Sequence, residues 1–324
     1  MQRYLNQSNM PLSIAVFLAT DNYDHDDNAI SATGLIKPIR QIILEKRLPP
    51  DNSLTDISSM VSSRIGSAIH DAIERSWKTN YLDALEALGY PPGLIQRIRI
   101  NPQPEEVNDT IVPVYMEQRA YREIDGYRIS GKYDFIAEGR LEDFKSTSAI
   151  TYISRSNEPK WALQGSLYRW LNPELVTEDD MVIRYIFTDW SAIRARTEEN
   201  YPANRITSRY LKLLSLEETE LYVRNKLRQL EQYKDAPEEE LPECTDDDLW
   251  RSSPVFKYYK NPEKRSRSTK NFDNAADAYM RLAKDGNVGI VVENPGQVTA
   301  CKYCAAFPIC SQKDRLIQDG SLQI

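Results

Sequence analysis

Apolar and polar positions follow two rhythms along this chain, and the change from one to the other marks its elements. Residues 1–55 open polar and irregular (DNYDHDDNAISATG) and then carry one helical pattern, GLIKPIRQIILEKRL. Pro38 interrupts its start, which predicts a helix from there to Lys46, stopped before Pro49 and Pro50. From Asp56 a stronger helix is predicted: Ile65, Ile69 and Ile73 repeat every four residues, with Ser58, Ser59, Ser62 and Ser63 as candidate caps. It runs to about Thr79, and a second short helix is expected over 82–88, before the break Gly89-Tyr90-Pro91-Pro92-Gly93. The rhythm then shortens to two. IVPVYMEQRAYREI and YRISGKYDFIAEG read as long strands joined by a hairpin turn at Asp125-Gly126, and LEDFKST reads as a third strand. A helix over 161–170, a strand over 181–187 and a helix over 216–234 follow, the last opened by a Ser215/Glu218 capping box. Helix, three strands, helix, strand, helix is the order of an α/β fold, with a mixed central sheet flanked by helices.

At Ala236 the texture changes. An acidic stretch, APEEELPECTDDD, precedes a basic one over 257–270 that holds six Lys/Arg against one Glu. Three parts are expected: an N-terminal helical arm (1–55), a core (56–235) and a C-terminal cysteine-clamped module (236–324). The 324 residues are 41% hydrophobic and 27% charged, which excludes a disordered or fibrous chain. A net charge of −7 excludes a uniformly basic nucleic-acid coat, though not a local basic patch. No run approaches eighteen apolar residues and the first residues lack the apolar core of a signal peptide, so a cytoplasmic protein without a membrane span is expected.

Candidate chemistry falls on four short pieces of the core. Gly66-Ser67-Ala68-Ile69-His70 is followed by Glu74; then come Gly131-Lys132-Tyr133-Asp134, Asp143-Phe144-Lys145, and Gln164 with Tyr168 four residues on. His70 and Glu74 share a helix face, and Asp143 and Lys145 share a strand face with Phe144 on the other. If the strands of Asp134 and Asp143 are neighbours, two carboxylates and the imidazole of His70 can surround a hard divalent cation such as Mg2+ or Mn2+. A lysine beside it can orient water or stabilise charge on a phosphorane-like transition state. Each piece alone reads as ordinary structure: His70 as a core histidine, Gln164 and Tyr168 as a helix surface. The other histidine, His25, lies in a polar run. Their joint occurrence in this order is what points to a site.

The set G-S-x-x-H-x-x-x-E, G-x-x-D, D-F-K-S-T and Q-x-x-x-Y resembles the PD-(D/E)xK nuclease superfamily over roughly residues 56–190. It is most similar to the RecB-like exonuclease branch, which includes AddB, exonuclease V and the CRISPR-adaptation exonucleases, and the flanking charge blocks resemble nuclease-like bacteriophage proteins. The resemblance implies a restriction-endonuclease-like core in which His70, Asp134, Asp143 and the carbonyl of Phe144 bind the metal. It further implies that Lys145 is the catalytic lysine, working with Asp134 and Asp143, and that Gln164 and Tyr168 position a DNA strand. Glu74 and Glu117 are supporting candidates.

Cys301, Cys304 and Cys310 stand at C-x2-C-x5-C spacing, a pattern that points to metal ligation rather than disulfides in a chain without an export signal. The spacing is similar to that of iron–sulfur members of the same branch, and the resemblance implies a structural [4Fe–4S] cluster. Those relatives carry the fourth cysteine upstream of the histidine motif. Here it would be Cys244, and four thiolates also suit structural Zn2+. The basic stretch, preceded by Phe256 and interleaved with Tyr258 and Tyr259, suits phosphate neutralisation and base stacking. The expectation is therefore a Mg2+- or Mn2+-dependent DNA exonuclease acting on single strands or ends, in recombination, repair or phage replication, with a replication or recombination protein as a possible further partner. The alternative is a non-catalytic DNA-binding or scaffolding module that retains the nuclease fold; an RNA substrate is also open. No phosphate-loop motif occurs, so a fused helicase is not expected.

Overall fold

The computed structural model describes residues 4–21, 24, 26–49 and 55–324; His25 lies outside them. The chain divides into two compact units, Met1–Ile36 with Ser53–Arg228, and Lys37–Asn52 with Gln229–Ile324. The helix Ile39–Lys46 thus packs with C-terminal residues, its Ile39, Ile42, Ile43 and Leu44 all buried.

The first unit is built on a six-stranded mixed sheet. Its spatial order is Ile206–Lys212, Asp180–Phe187, Arg140–Thr147, Phe135–Ala137, Val112–Met116 and Ile98–Ile100. Arg140–Thr147 runs parallel to Asp180–Phe187 on one side and antiparallel to Phe135–Ala137 on the other. A smaller three-stranded sheet joins Ile30–Ser31, Tyr127–Lys132 and Arg119–Ile124. The hairpin expected at Asp125-Gly126 is present, with both turn residues at positive φ (50° and 80°), as a two-residue loop matched to strand twist requires.

Each long strand of that expectation is in fact two. The first breaks at Glu117-Gln118, where Glu117 takes a left-handed φ of 52°, and the second at Tyr133-Asp134. The two breaks face each other, bridged by Glu117 N–H to Asp134 C=O (3.1 Å) and Tyr133 N–H to Gln118 C=O (3.3 Å). The hairpin therefore bends as a whole and passes from one sheet into the other at this level, a device common beside active sites.

The helices expected over 56–79 and 82–88 are one, Val61–Ala87, entered through a short turn, Ile57–Met60, capped by Asp56. Nothing breaks it at Asn80, because Trp77, Tyr81 and Leu85 recur every four residues and pack on the cluster of Ile98, Val114, Met116 and Phe135. The helix Glu158–Leu171 covers the region of Gly131 closely: a Cβ at Gly131 would stand 2.6 Å from Leu171 and 2.9 Å from the Tyr168 ring. The sequence reading missed the edge strand Ile206–Lys212 and the helices Leu12–Ala19 and Ala192–Thr197. The Ser215/Glu218 capping box is formed in both directions, at 2.8 and 3.1 Å.

In the second unit Val255–Tyr259 is the middle strand of a three-stranded antiparallel sheet with Lys270–Phe272 and Ile290–Asn294, beside the helix Ala275–Lys284. The basic stretch is thus largely a hairpin. Tyr258 is fully buried, its hydroxyl donating to Asp285 at 2.9 Å, and Tyr259 is buried too, so neither can stack on a base as the sequence reading had it. Among the described residues no helix is long and apolar enough to cross a membrane.

Candidate functional site

The site lies in the first unit, where the sheet ladder opens. Pairing between Arg140–Thr147 and Phe135–Ala137 stops at Glu142 opposite Phe135. Beyond that point the bent hairpin has turned away, leaving the peptide groups of Phe144 facing the gap. Its N–H donates to Asp134 Oδ2 at 2.8 Å, and its carbonyl stands 3.0 Å from His70 Nε2. The break in the hairpin thus does two things at once: it frees one strand's backbone and supplies the carboxylate that satisfies it.

His70 reaches this point from the long helix, which lies close to the strand: a Cβ at Gly66 would meet Ser146 Oγ at 3.3 Å. The imidazole sits edge-on to the Phe144 ring, centroids 5.8 Å apart. Its Nδ1 faces Asp134 Oδ1 at 3.5 Å and Glu117 Oε1 at 3.8 Å. His70, Glu117 and Asp134 each bring one ligand atom into a group within 4.8 Å, and such a group can hold a metal ion. Burial works against charge on His70, but the carboxylates of Asp134 and Glu117 outweigh it and hold its pKa up to about 10. An imidazolium here occupies the place that the surrounding oxygens offer to a cation.

Asp143 and Lys145 alternate with Phe144 and point the opposite way, toward the helix Glu158–Leu171. Asp143 is 1% exposed, and Lys145 Nζ stands 2.7 Å from its Oδ2. That oxygen is fully buried, and the Lys145 ammonium is its charged neighbour. Burial lifts the Asp143 pKa to about 6, with Lys145 pulling it down and Asp134 pushing it up. Lys145 stays above its ordinary value: burial disfavours the ammonium, and the attraction of Asp143 and then Asp134 overrides it. Gln164 donates to the Tyr168 hydroxyl at 2.9 Å and lies 3.4 Å from Asp143 Oδ1. A cavity of about 540 Å³ takes in all these side chains except Glu74, together with the rim hydroxyls of Ser63, Ser67 and Ser146.

The structure therefore brings His70, Asp134, Asp143, Phe144, Lys145, Gln164, Tyr168 and Glu117 to one cavity. Glu74 is elsewhere, paired with Lys78 one turn along the helix at 2.5 Å. Glu117 stands with His70 and Asp134, whereas Asp143 lies outside that group of three and faces Lys145. Lys132, 2.6 Å from Glu117 Oε2, is a second ammonium in the cavity that sequence reasoning missed. Its only signal was its place inside G-x-x-D, one residue before the strand breaks.

The four cysteines lie in the second unit, all free thiols and half-buried. Burial first, then Asp248 and the other three cysteines, push the Cys244 thiol up to about 12. Cys304 is also raised by burial, while the Ala306 amide N–H bonded to its sulfur works the other way. Arg40 donates through Nε to Cys310 Sγ at 3.4 Å. Four thiols in one region, two of them receiving N–H donors, are chemically suited to a metal, though no three of their sulfurs lie within 4.8 Å of one another.

No protein-family model and no curated protein matches the chain. Among solved structures it is similar to that of SSO0001, with 18% identity, 68% of this chain and 87% of that one covered, and a TM-score of 0.40. It is also similar to a phage-related exonuclease from Haemophilus somnus 129PT, with 15% identity, 64% and 93% covered, and a TM-score of 0.28.

Proposed function

We propose that the first unit is a divalent-metal-dependent deoxyribonuclease, acting as an exonuclease on single strands or ends, and that the second carries a structural metal held by four cysteines. The observation that carries the reading is the meeting of His70, Glu117 and Asp134 beside the Asp143–Lys145 pair at the gap in the ladder. The donor set suits Mg2+ or Mn2+: carboxylates, one imidazole, the Phe144 carbonyl, and the buried Asp143 carboxylate. When bound, such a cation neutralises the attacked phosphate and makes water more acidic.

The chain's own groups do the rest. Lys145, kept as an ammonium by Asp143, is aimed by that carboxylate and stabilises negative charge growing on the phosphoryl oxygens rather than removing a proton. Asp134 holds the Phe144 peptide and so fixes the strand that carries Asp143 and Lys145. Gln164, tied to Tyr168, offers its amide beside Asp143, where it orients the backbone of a bound strand. In the second unit Cys244, Cys301, Cys304 and Cys310 hold a [4Fe–4S] cluster, or Zn2+ in the same four thiolates.

End-labelled single- and double-stranded DNA, and RNA of the same sequence, incubated with Mg2+, Mn2+ or EDTA, tests the reading. Metal-dependent release of nucleotides from DNA is expected. DNA binding without release in any metal would instead support the non-catalytic module.

A further inference from the structure

Cys244 lies 57 residues before Cys301 in the sequence, so something other than local spacing must bring it to the other three cysteines. Arg40, on the helix Ile39–Lys46, is 2% exposed and spends all of its donors in this one region. Nε donates to Cys310 Sγ at 3.4 Å; Nη1 donates to the carbonyls of Leu241 (3.1 Å) and Glu238 (3.3 Å). Nη2 donates to Glu238 Oε1 (2.5 Å) and Ser311 Oγ (3.0 Å). The same Glu238 oxygen accepts the Ser311 N–H at 2.6 Å, so one carboxylate and one guanidinium clamp the start of the helix Ser311–Gln318. Gln312, on that helix, exchanges two 2.9 Å hydrogen bonds with the backbone N–H and C=O of Cys244.

We propose that Arg40 is a positioning residue of the cysteine centre, fixing the Cys310 sulfur and tying it to the segment that delivers Cys244. The inference rests on the reading of a metal held by these cysteines. A guanidinium suits the task because its planar fork reaches a sulfur, two carbonyls, a carboxylate and a hydroxyl from one rigid group. A hydrogen bond donated to a metal-bound thiolate lowers the charge it shares with the metal, and loss of such a partner typically weakens binding. Nothing in the sequence marks Arg40 for this role, since it stands 204 residues before Cys244 in an ordinary amphipathic helix.

The wild-type chain, Arg40→Lys and Arg40→Met are purified anaerobically, and iron and zinc per chain are measured. Release to excess chelator is timed, and the sulfur-to-metal charge-transfer absorption is recorded, after exchange with Co2+ if the metal is zinc. Arg40→Met is expected to release metal roughly 10–100-fold faster, with the band shifted to lower energy, and Arg40→Lys to fall between. Release by Arg40→Met within about twofold of wild type, with an unshifted band, overturns the proposal. If Arg40→Met does not fold, Glu238→Gln decides: release at least about threefold faster supports the clamp, and unchanged release and absorption overturn it. A wild-type chain that holds neither iron nor zinc and takes up no Co2+ sinks the cysteine-centre reading itself. A metal-holding wild type with indifferent Arg40 variants sinks only the role of Arg40.

Discussion

Burial disfavours the ammonium of Lys145, and the attraction of Asp143, 2.7 Å away, outweighs it. Replacing Lys145 by Met should therefore leave DNA affinity nearly unchanged and lower the single-turnover cleavage rate by roughly 10²–10³. Cleavage at the wild-type rate would remove Lys145 from the mechanism. His70 gives a pH test with a definite sign. In the metal-free chain its pKa is raised from 6.5 to about 10, so the imidazolium persists through neutrality and must lose a proton before the nitrogen can bind a cation. Mn2+ affinity measured calorimetrically between pH 6 and 8 should rise with pH, by about tenfold per unit, with proton release seen as a dependence on buffer ionisation heat. The linked effect on metal-free stability has the opposite sign: the contribution is full below 6.5 and fades as pH climbs through about 10. An affinity flat across pH 6–8 would contradict the placement of His70 as a ligand.

At the scale of elements, two substitutions separate structure from function. Gly131→Ala drives a methyl into Leu171 and the Tyr168 ring, and should cost about 1–3 kcal/mol in urea melts while also slowing cleavage, since Tyr168 holds Gln164. Ser215→Ala removes one half of a capping box on the helix Leu216–Tyr233 and should cost about 1 kcal/mol with cleavage unaltered. The elements themselves were unevenly legible. Asp125-Gly126 announced its hairpin because few residues tolerate two positive φ angles in succession. The breaks at Glu117 and Tyr133-Asp134 were invisible, because both segments alternate without interruption and the bend comes from two strands parting to join different sheets. The polar stretch around Asn80 hid a continuous helix, since only the Trp77, Tyr81, Leu85 stripe is asked to pack. Ile206–Lys212, an edge strand with exposed Ile206 and Tyr210, offers too little buried face to read as a strand. Lysines and arginines around a solvent-facing hairpin masked the apolar alternation of Val255–Tyr259 in the same way.

On the scale of the whole molecule, the site motifs could be gathered from sequence because four short pieces carry them, all within one unit. The cysteine region was legible only as a cluster of thiols. Its supports, Arg40, Glu238 and Gln312, are polar residues whose partners lie far off in the chain, and no periodicity reports such pairs. The division of the chain gives a further prediction. If the four cysteines hold a metal, stripping it from the whole chain should speed amide hydrogen exchange in 229–324 and, together with it, in the helix Ile39–Lys46. The amides of the long helix Val61–Ala87 should exchange as before. Acceleration confined to 229–324, with 39–46 unmoved, would show that the helix Ile39–Lys46 does not depend on the cysteine region.

That division has a temporal side. A ribosome delivers the helix Ile39–Lys46, with its Ile39, Ile42, Ile43 and Leu44, roughly 180 residues before the first of the C-terminal partners that will cover it. At about 5–20 residues per second the greasy face of that helix waits on the order of ten seconds or longer. The nascent protein is then open to misassociation at this one point even after its first half has assembled. A stalled or shortened product that ends before Gln229 would keep that face bare for good, and chaperone capture should follow it there.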